Sequence, residues 1–104
     1  MPSAHGRRFT VDRLPEVDQQ IRELASEAKV RGFSREYIRA LKSIVDELER
    51  DPLGWGDPQY HAKSQGSTVC HGVLGPLYVE YVVFEPDSVV VILGLRPMPS
   101  AGLD

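Results

Sequence analysis

With 104 residues, 41% of them hydrophobic and 26% charged, the chain has room for one hydrophobic core and too much apolar content for wholesale disorder. The formal net charge is −3, and no aliphatic stretch exceeds Val89 to Leu93, far short of a bilayer span. Residues 1–50 carry ten Lys/Arg and nine Asp/Glu, whereas residues 51–104 carry only Lys63 and Arg96 against six acids, so the second half lacks the clustered cations that a nucleic-acid clamp requires.

The opening residues, Met-Pro-Ser-Ala-His-Gly-Arg-Arg, have no apolar run behind their basic pair and do not read as a secretory signal. One cysteine, Cys70, excludes an internal disulfide and fits a reducing compartment, so cytoplasmic residence is the expectation. Residues 1–7 and 99–104 are expected to be flexible tails around a single domain spanning 8–98.

In chain order, Arg8 to Asp12 alternates polar and apolar and predicts a short strand. Leu14-Pro15-Glu16 follows, with proline and acid placed as at a helix start. Val17, Ile21, Leu24, Ala25 and Ala28 make one apolar stripe, and Gly32 is the expected stop. Ser34 is the expected cap of a second helix, with Phe33 and Ile38 spaced as a hydrophobic staple. Tyr37, Ile38, Leu41, Ile44, Val45 and Leu48 hold helical spacing for three turns, until Asp51-Pro52 and Gly54-Trp55-Gly56-Asp57-Pro58 break it. Helices separated by so few residues are expected to fold back as an antiparallel hairpin.

Strands are predicted over Thr68 to Leu74 (interrupted by Gly72), Leu77 to Phe84 and Ser88 to Arg96, the last two joined at Glu85-Pro86-Asp87. The fold class is therefore α+β: a short N-terminal strand, a two-helix hairpin, then an antiparallel sheet of about three further strands. Strict alternation puts Leu77, Val79, Tyr81 and Val83 on one face, with Tyr78, Val82, Phe84, Val90 and Ile92 on the other. Two helices cover one face of a small sheet. The second face is then either overlaid by loop 52–66 with Trp55 and Tyr60, or an exposed apolar surface that binds a partner; the partner surface is the expectation.

The order strand, helix, helix, antiparallel sheet resembles the RelE/ParE superfamily of toxins from bacterial toxin–antitoxin pairs. The resemblance rests on Phe9 to Pro15 and on IRALKSIVDELERDP from Ile38 to Pro52. It continues through Gly54 and Gly56, PLYVEYVVFE from Pro76 to Glu85, and VVVILGLR from Val89 to Arg96, and so spans residues 8–98. It implies an antitoxin partner that wraps the toxin. It also implies one of two activities: cleavage of messenger RNA in the ribosomal A site, or inhibition of DNA gyrase without such chemistry. The sequence departs from the RNA-cleaving members in two places. Tyr78 stands where the strand usually has an arginine, and the C-terminal helix or tail is reduced to the stretch from Pro97 to Asp104.

Cleavage of RNA needs a cation on the scissile phosphate and an acid or base. Arg96 matches the family's basic position, and Lys63, His61 and His71 are the candidates to complete a catalytic set. Cys70 and His71, adjacent on a strand, point to opposite faces and do not form a thiol–imidazole pair. His5, His61, Cys70 and His71 lack metal-ligand spacing, and neither a metal nor another cofactor is expected. Arg35, Arg39 and Lys42 recur along the second helix as a candidate nucleic-acid stripe; with Glu36, Asp46, Glu47 and Glu49 interspersed, a solvated mixed face is the expectation. The expectation is a toxin component that acts by binding and is neutralised by an antitoxin or other protein partner, the acidic second half weighing against RNA and the ribosome. The alternatives are an endoribonuclease with an atypical site and a non-toxic interaction or dimerisation module.

Overall fold

The computed structural model describes residues 8–62 and 65–98; the expected tails at 1–7 and 99–104, and Lys63, lie outside them. The elements run β1 (Thr10–Arg13), α1 (Pro15–Arg31), α2 (Ser34–Arg50), α3 (Pro52–Trp55), β2 (Asp57–Ala62), β3 (Ser67–Leu74), β4 (Leu77–Phe84) and β5 (Val89–Pro97). The strands form one sheet in the order β1-β5-β4-β3-β2, antiparallel except for the β1–β5 pair. Among the described residues no helix is long and apolar enough to cross a membrane. The α+β plan expected from periodicity is present, with an additional edge strand, β2, inside the stretch expected to be a loop.

Helix α1 begins at Pro15, whose missing N–H costs nothing in the first turn, and ends on Gly32 in the left-handed conformation (φ 78°). A side chain would disfavour that geometry. The expected cap at Ser34 is a correction: Ser34 is already helical, Phe33 occupies the cap position, and no side chain caps α2. The Phe33 carbonyl accepts from the Tyr37 amide instead (2.9 Å), and Phe33 leans on the core. Ile38, expected to staple against Phe33, is 51% exposed.

The core lies between the helices and one sheet face. Val17, Leu24 and Ala28 of α1 and Tyr37, Ala40, Ile44 and Leu48 of α2 meet Cys70, Leu77, Val79, Tyr81, Val83, Val90, Ile92 and Leu95. Full burial of side chains this size is worth about 1.5–3 kcal/mol each. The short helix α3 is drawn under the same face: Tyr81 donates to the Pro52 carbonyl (2.5 Å), and Trp55 stacks on the Tyr81 ring at 6.0 Å. Gly72 makes room for the indole, since a Cβ there would sit 2.6 Å from its ring carbons. The glycine that weakened the strand reading of β3 is thus the seat of Trp55. Trp55 does not fold back over the second sheet face, because it is held on the helical side against Tyr81 and Gly72.

Two of the five residues assigned to the outer face are corrected. Val90 and Ile92 belong to the core, at 0% and 4% exposure, paired with Val83 and Tyr81. Strict alternation fails because β5 carries one extra residue, Leu93: Glu80 pairs with Gly94, but Tyr81 pairs with Ile92. Beyond the end of β1, the Leu95 amide donates to Gln20 Oε1 of α1 (2.9 Å), so the strand past the bulge is anchored to the helical layer.

Burial pushes the Tyr81 phenol well above the usual range, with the neighbouring Cys70 adding to the effect. Burial likewise raises the Tyr37 phenol and the Cys70 thiol. Each folded-state group keeps its proton at a pH where the unfolded chain has lost it. The native state therefore binds more protons, and stability falls as pH rises past the unfolded values, from about pH 9 upward. In chemical denaturation, Tyr81→Phe should cost about 1–3 kcal/mol at neutral pH by leaving the Pro52 carbonyl without its donor. It should also flatten the alkaline decline, and an unchanged alkaline slope would contradict this assignment.

Candidate functional site

The bulge at Leu93 determines what the outer face of the sheet displays. Upstream of it, Val90 and Ile92 point to the core; downstream, Leu95 points to the core and Arg96 outward, opposite Tyr78. A bulge of this kind lets two consecutive stretches of one strand face opposite ways. A second irregularity, between Pro58 and Tyr60 of β2, has a similar effect: Gln59 reaches the outer His71 while Tyr60 stands on the same face beside Val69.

Three cross-strand rows result. One runs Tyr60, Val69, Val82, Val91 and is apolar; the next runs Asp57, His71, Glu80, Gly94; the last runs Val73, Tyr78, Arg96. The Arg96 guanidinium lies over the Tyr78 ring, 4.7 Å from its centroid, a contact worth about 0.5–1 kcal/mol at an exposed site. The His71 ring lies 5.6 Å from that of Tyr78. On its far side it meets Gln59 Nε2 (3.5 Å) and Asp57 Oδ2 (3.8 Å). Tyr78 and Arg96, with Pro97 and Met98, line a hollow of about 290 Å³ at the end of the sheet. An exposed guanidinium, an aromatic face and an imidazole in one line can hold a planar or anionic group.

Of the candidate catalytic residues, Arg96 and His71 are therefore brought to one face, with Tyr78 between them. His61 is not part of this group. It pairs with Thr68, which points to the core side, and its Nδ1 lies 2.7 Å from the Thr68 hydroxyl. Of the proposed partner surface, Tyr78, Val82 and Phe84 are on the outer face, whereas Val90 and Ile92 lie beneath the helices. Cys70 is buried and His71 faces outward, so the two do not meet. Arg35, Arg39 and Lys42 lie on the exposed side of α2, in the helical layer, away from Arg96. Asp57, Gln59 and Tyr60 escaped the sequence reading because Pro58 and the two flanking glycines mark a loop. The order of the strands, not any local signal, brings them beside His71.

No protein-family model and no curated protein matches the sequence. Solved structures do. The chain is similar to the archaeal RelE–RelB complex from Pyrococcus horikoshii OT3, with a TM-score of 0.64 and 20% identity over 91% of this chain and 97% of that one. It is also similar to the toxin–antitoxin complex RelBE2 from Mycobacterium tuberculosis, with a TM-score of 0.66 and 17% identity over 88% and 93%. The chain has the RelE-like toxin fold, in a divergent sequence.

If the bulge absorbs Leu93 as an extra residue, removing that residue should leave Arg96 outward, opposite Tyr78. Deletion of Leu93 closes the gap in the pairing, so that Ile92, Gly94, Leu95 and Arg96 oppose Tyr81, Glu80, Val79 and Tyr78 in unbroken order. Equilibrium denaturation should show a change of about 1 kcal/mol or less for the deletion and for Leu93→Ala alike. A loss of several kcal/mol for the deletion variant would show that Leu93 is not a simple inserted residue and that the pairing beyond it depends on its presence.

Proposed function

We propose that this chain is the toxin component of a toxin–antitoxin pair, acting by binding its target through the outer face of the sheet and neutralised by an antitoxin that covers that face. The observation that carries this reading is the RelE-like fold together with an apolar sheet face that none of the described helices covers. That face pairs an apolar row (Tyr60, Val69, Val82, Val91) with the line of Arg96, Tyr78 and His71. Tyr60 is 66% exposed, and an aromatic held out to solvent beside valines favours a partner over water. Both similar structures are complexes of a toxin with an antitoxin, which supports an antitoxin as one occupant.

A second reading, a ribosome-dependent endoribonuclease, is favoured by one observation: Arg96, Tyr78 and His71 stand together. In that reading Tyr78 stacks on a base, Arg96 stabilises charge developing on the scissile phosphate, and His71 moves the proton of the attacking 2′-hydroxyl. Two features weigh against it. Tyr78 replaces the cation that the resemblance leads one to expect on that strand, and Asp57 and Glu80 flank His71 and repel phosphate. Binding without cleavage is the reading adopted.

The test is expression of the chain alone from a tightly controlled promoter in bacterial cells. Growth arrest without new messenger RNA ends is expected, with DNA supercoiling or another protein-dependent process failing first. Arg96→Ala together with Tyr60→Ala should relieve the arrest by weakening target binding. Site-specific messenger RNA cleavage, lost by about 100-fold or more in Arg96→Ala or His71→Ala, would move the assignment to the endoribonuclease. Normal growth with folded protein would leave a non-toxic interaction or dimerisation module, to be separated by sedimentation.

A further inference from the structure

The exposed side of α2 differs from the rest of the helical surface. Apart from Lys29, which likewise has no ion pair among the described residues, the other described cations are engaged: Arg8 with Glu49, Arg13 with Asp18, Arg31 with Glu27 and Arg50 with Glu47. Arg22 bonds Gln19, and Arg96 covers Tyr78. Arg35, Arg39 and Lys42 make no ion pair among the described residues, although Glu36 and Asp46 share their helix. Between them stands Ile38, 51% exposed, and the four residues line a shallow depression of about 480 Å³. The apolar lane continues from Ile38 to Leu41 and Val45 at i+3 and i+7, positions that share one side of a helix. Those two residues line a second hollow, about 260 Å³, against α1 and β1.

We infer that this side of α2 docks an acidic amphipathic helix supplied by a protein partner. An apolar lane at i, i+3, i+7 bordered by unpaired cations complements a helix whose own apolar stripe is bordered by Glu or Asp. Charge sets the direction: the acidic end of the partner lies over Arg35, Arg39 and Lys42, away from Asp46, which continues the same stripe. A nucleic-acid backbone, negative along its whole length, would meet Asp46 within two turns and would leave Ile38 against phosphate. The apolar centre therefore favours a protein over nucleic acid. The surface is separate from the outer sheet face, and the inference holds whether or not the chain arrests growth.

The probe is a 20-residue synthetic helix with Leu at i, i+3, i+7 spacing and Glu on both flanks, followed by fluorescence anisotropy with the purified full chain. A scrambled peptide of the same composition and a 20-nucleotide single-stranded RNA serve as comparisons. The designed helix should bind, and the scrambled peptide should bind much more weakly. Arg35→Glu/Arg39→Glu/Lys42→Glu should weaken binding about tenfold or more, and Ile38→Asp should weaken it independently. The circular dichroism of both variants should match the parent because these side chains are exposed. If the charge reversal unfolds the chain, the same three positions changed to Gln should give a smaller loss in the same direction. Absence of binding, equal binding of designed and scrambled peptides, or binding unchanged by either variant overturns the inference. RNA binding that the triple variant abolishes, without peptide binding, assigns the surface to nucleic acid instead.

Discussion

A bulge at Leu93 of β5 keeps the rest of that strand in register with β4. Before Leu93, Val90 and Ile92 feed the core; after it, Arg96 emerges on the opposite face beside Tyr78. Side chains in a strand alternate with a period of two, so an extra residue would exchange the two faces downstream; the bulge absorbs it and keeps Leu95 in the core and Arg96 outside. The bulge thus lets one strand serve both as a central core element and as the carrier of an exposed cation. The Gln20 side chain takes the Leu95 amide just past this point, so the re-aimed segment is tied to α1.

The same division of faces organises the rest of the molecule. The helices and α3 crowd one side of the sheet. Trp55 fills the space over Gly72, and Tyr81 reaches across to Pro52. With the loop after α2 bound there, none of its described residues before β2 covers the other side. That side is then free to display Tyr60, the valine row and the line from Asp57 and Gln59 through His71 and Tyr78 to Arg96. Close packing on one face leaves the other available for a target and, in the proposed reading, for an antitoxin. The helical layer, in turn, presents a second surface on α2 with different chemistry.

The parts legible in the sequence were those governed by local periodicity. The stripes of α1 and α2, the stop at Gly32 and the β4–β5 hairpin follow from spacing and turn residues alone. The strand β2 was missed because Pro58 and Gly56 argue for a loop, and only pairing with β3 makes it a strand. Val90 and Ile92 were put on the wrong face because a bulge has no reliable local signature: VVVILGLR reads as plain alternation until its partner strand is known. The same error concealed why Arg96 can stand beside Tyr78. Arg96 and His71 were legible as candidates by residue type. Their meeting across Tyr78 was not, because it depends on strand order. His61, equally plausible by type, pairs with Thr68 and points to the core side.

The central claim is that the outer sheet face is the working surface of the chain. The most direct measurement is photo-cross-linking in living cells, with a photoreactive amino acid at Tyr60 on that face and, separately, at exposed Val30 on α1. Adducts would be resolved by mass spectrometry. The account expects one recurrent protein adduct from position 60 that disappears when Arg96 and Tyr78 are also replaced, with no such adduct from position 30. Adducts from position 30 alone, or an adduct at position 60 indifferent to the loss of Arg96 and Tyr78, would contradict it.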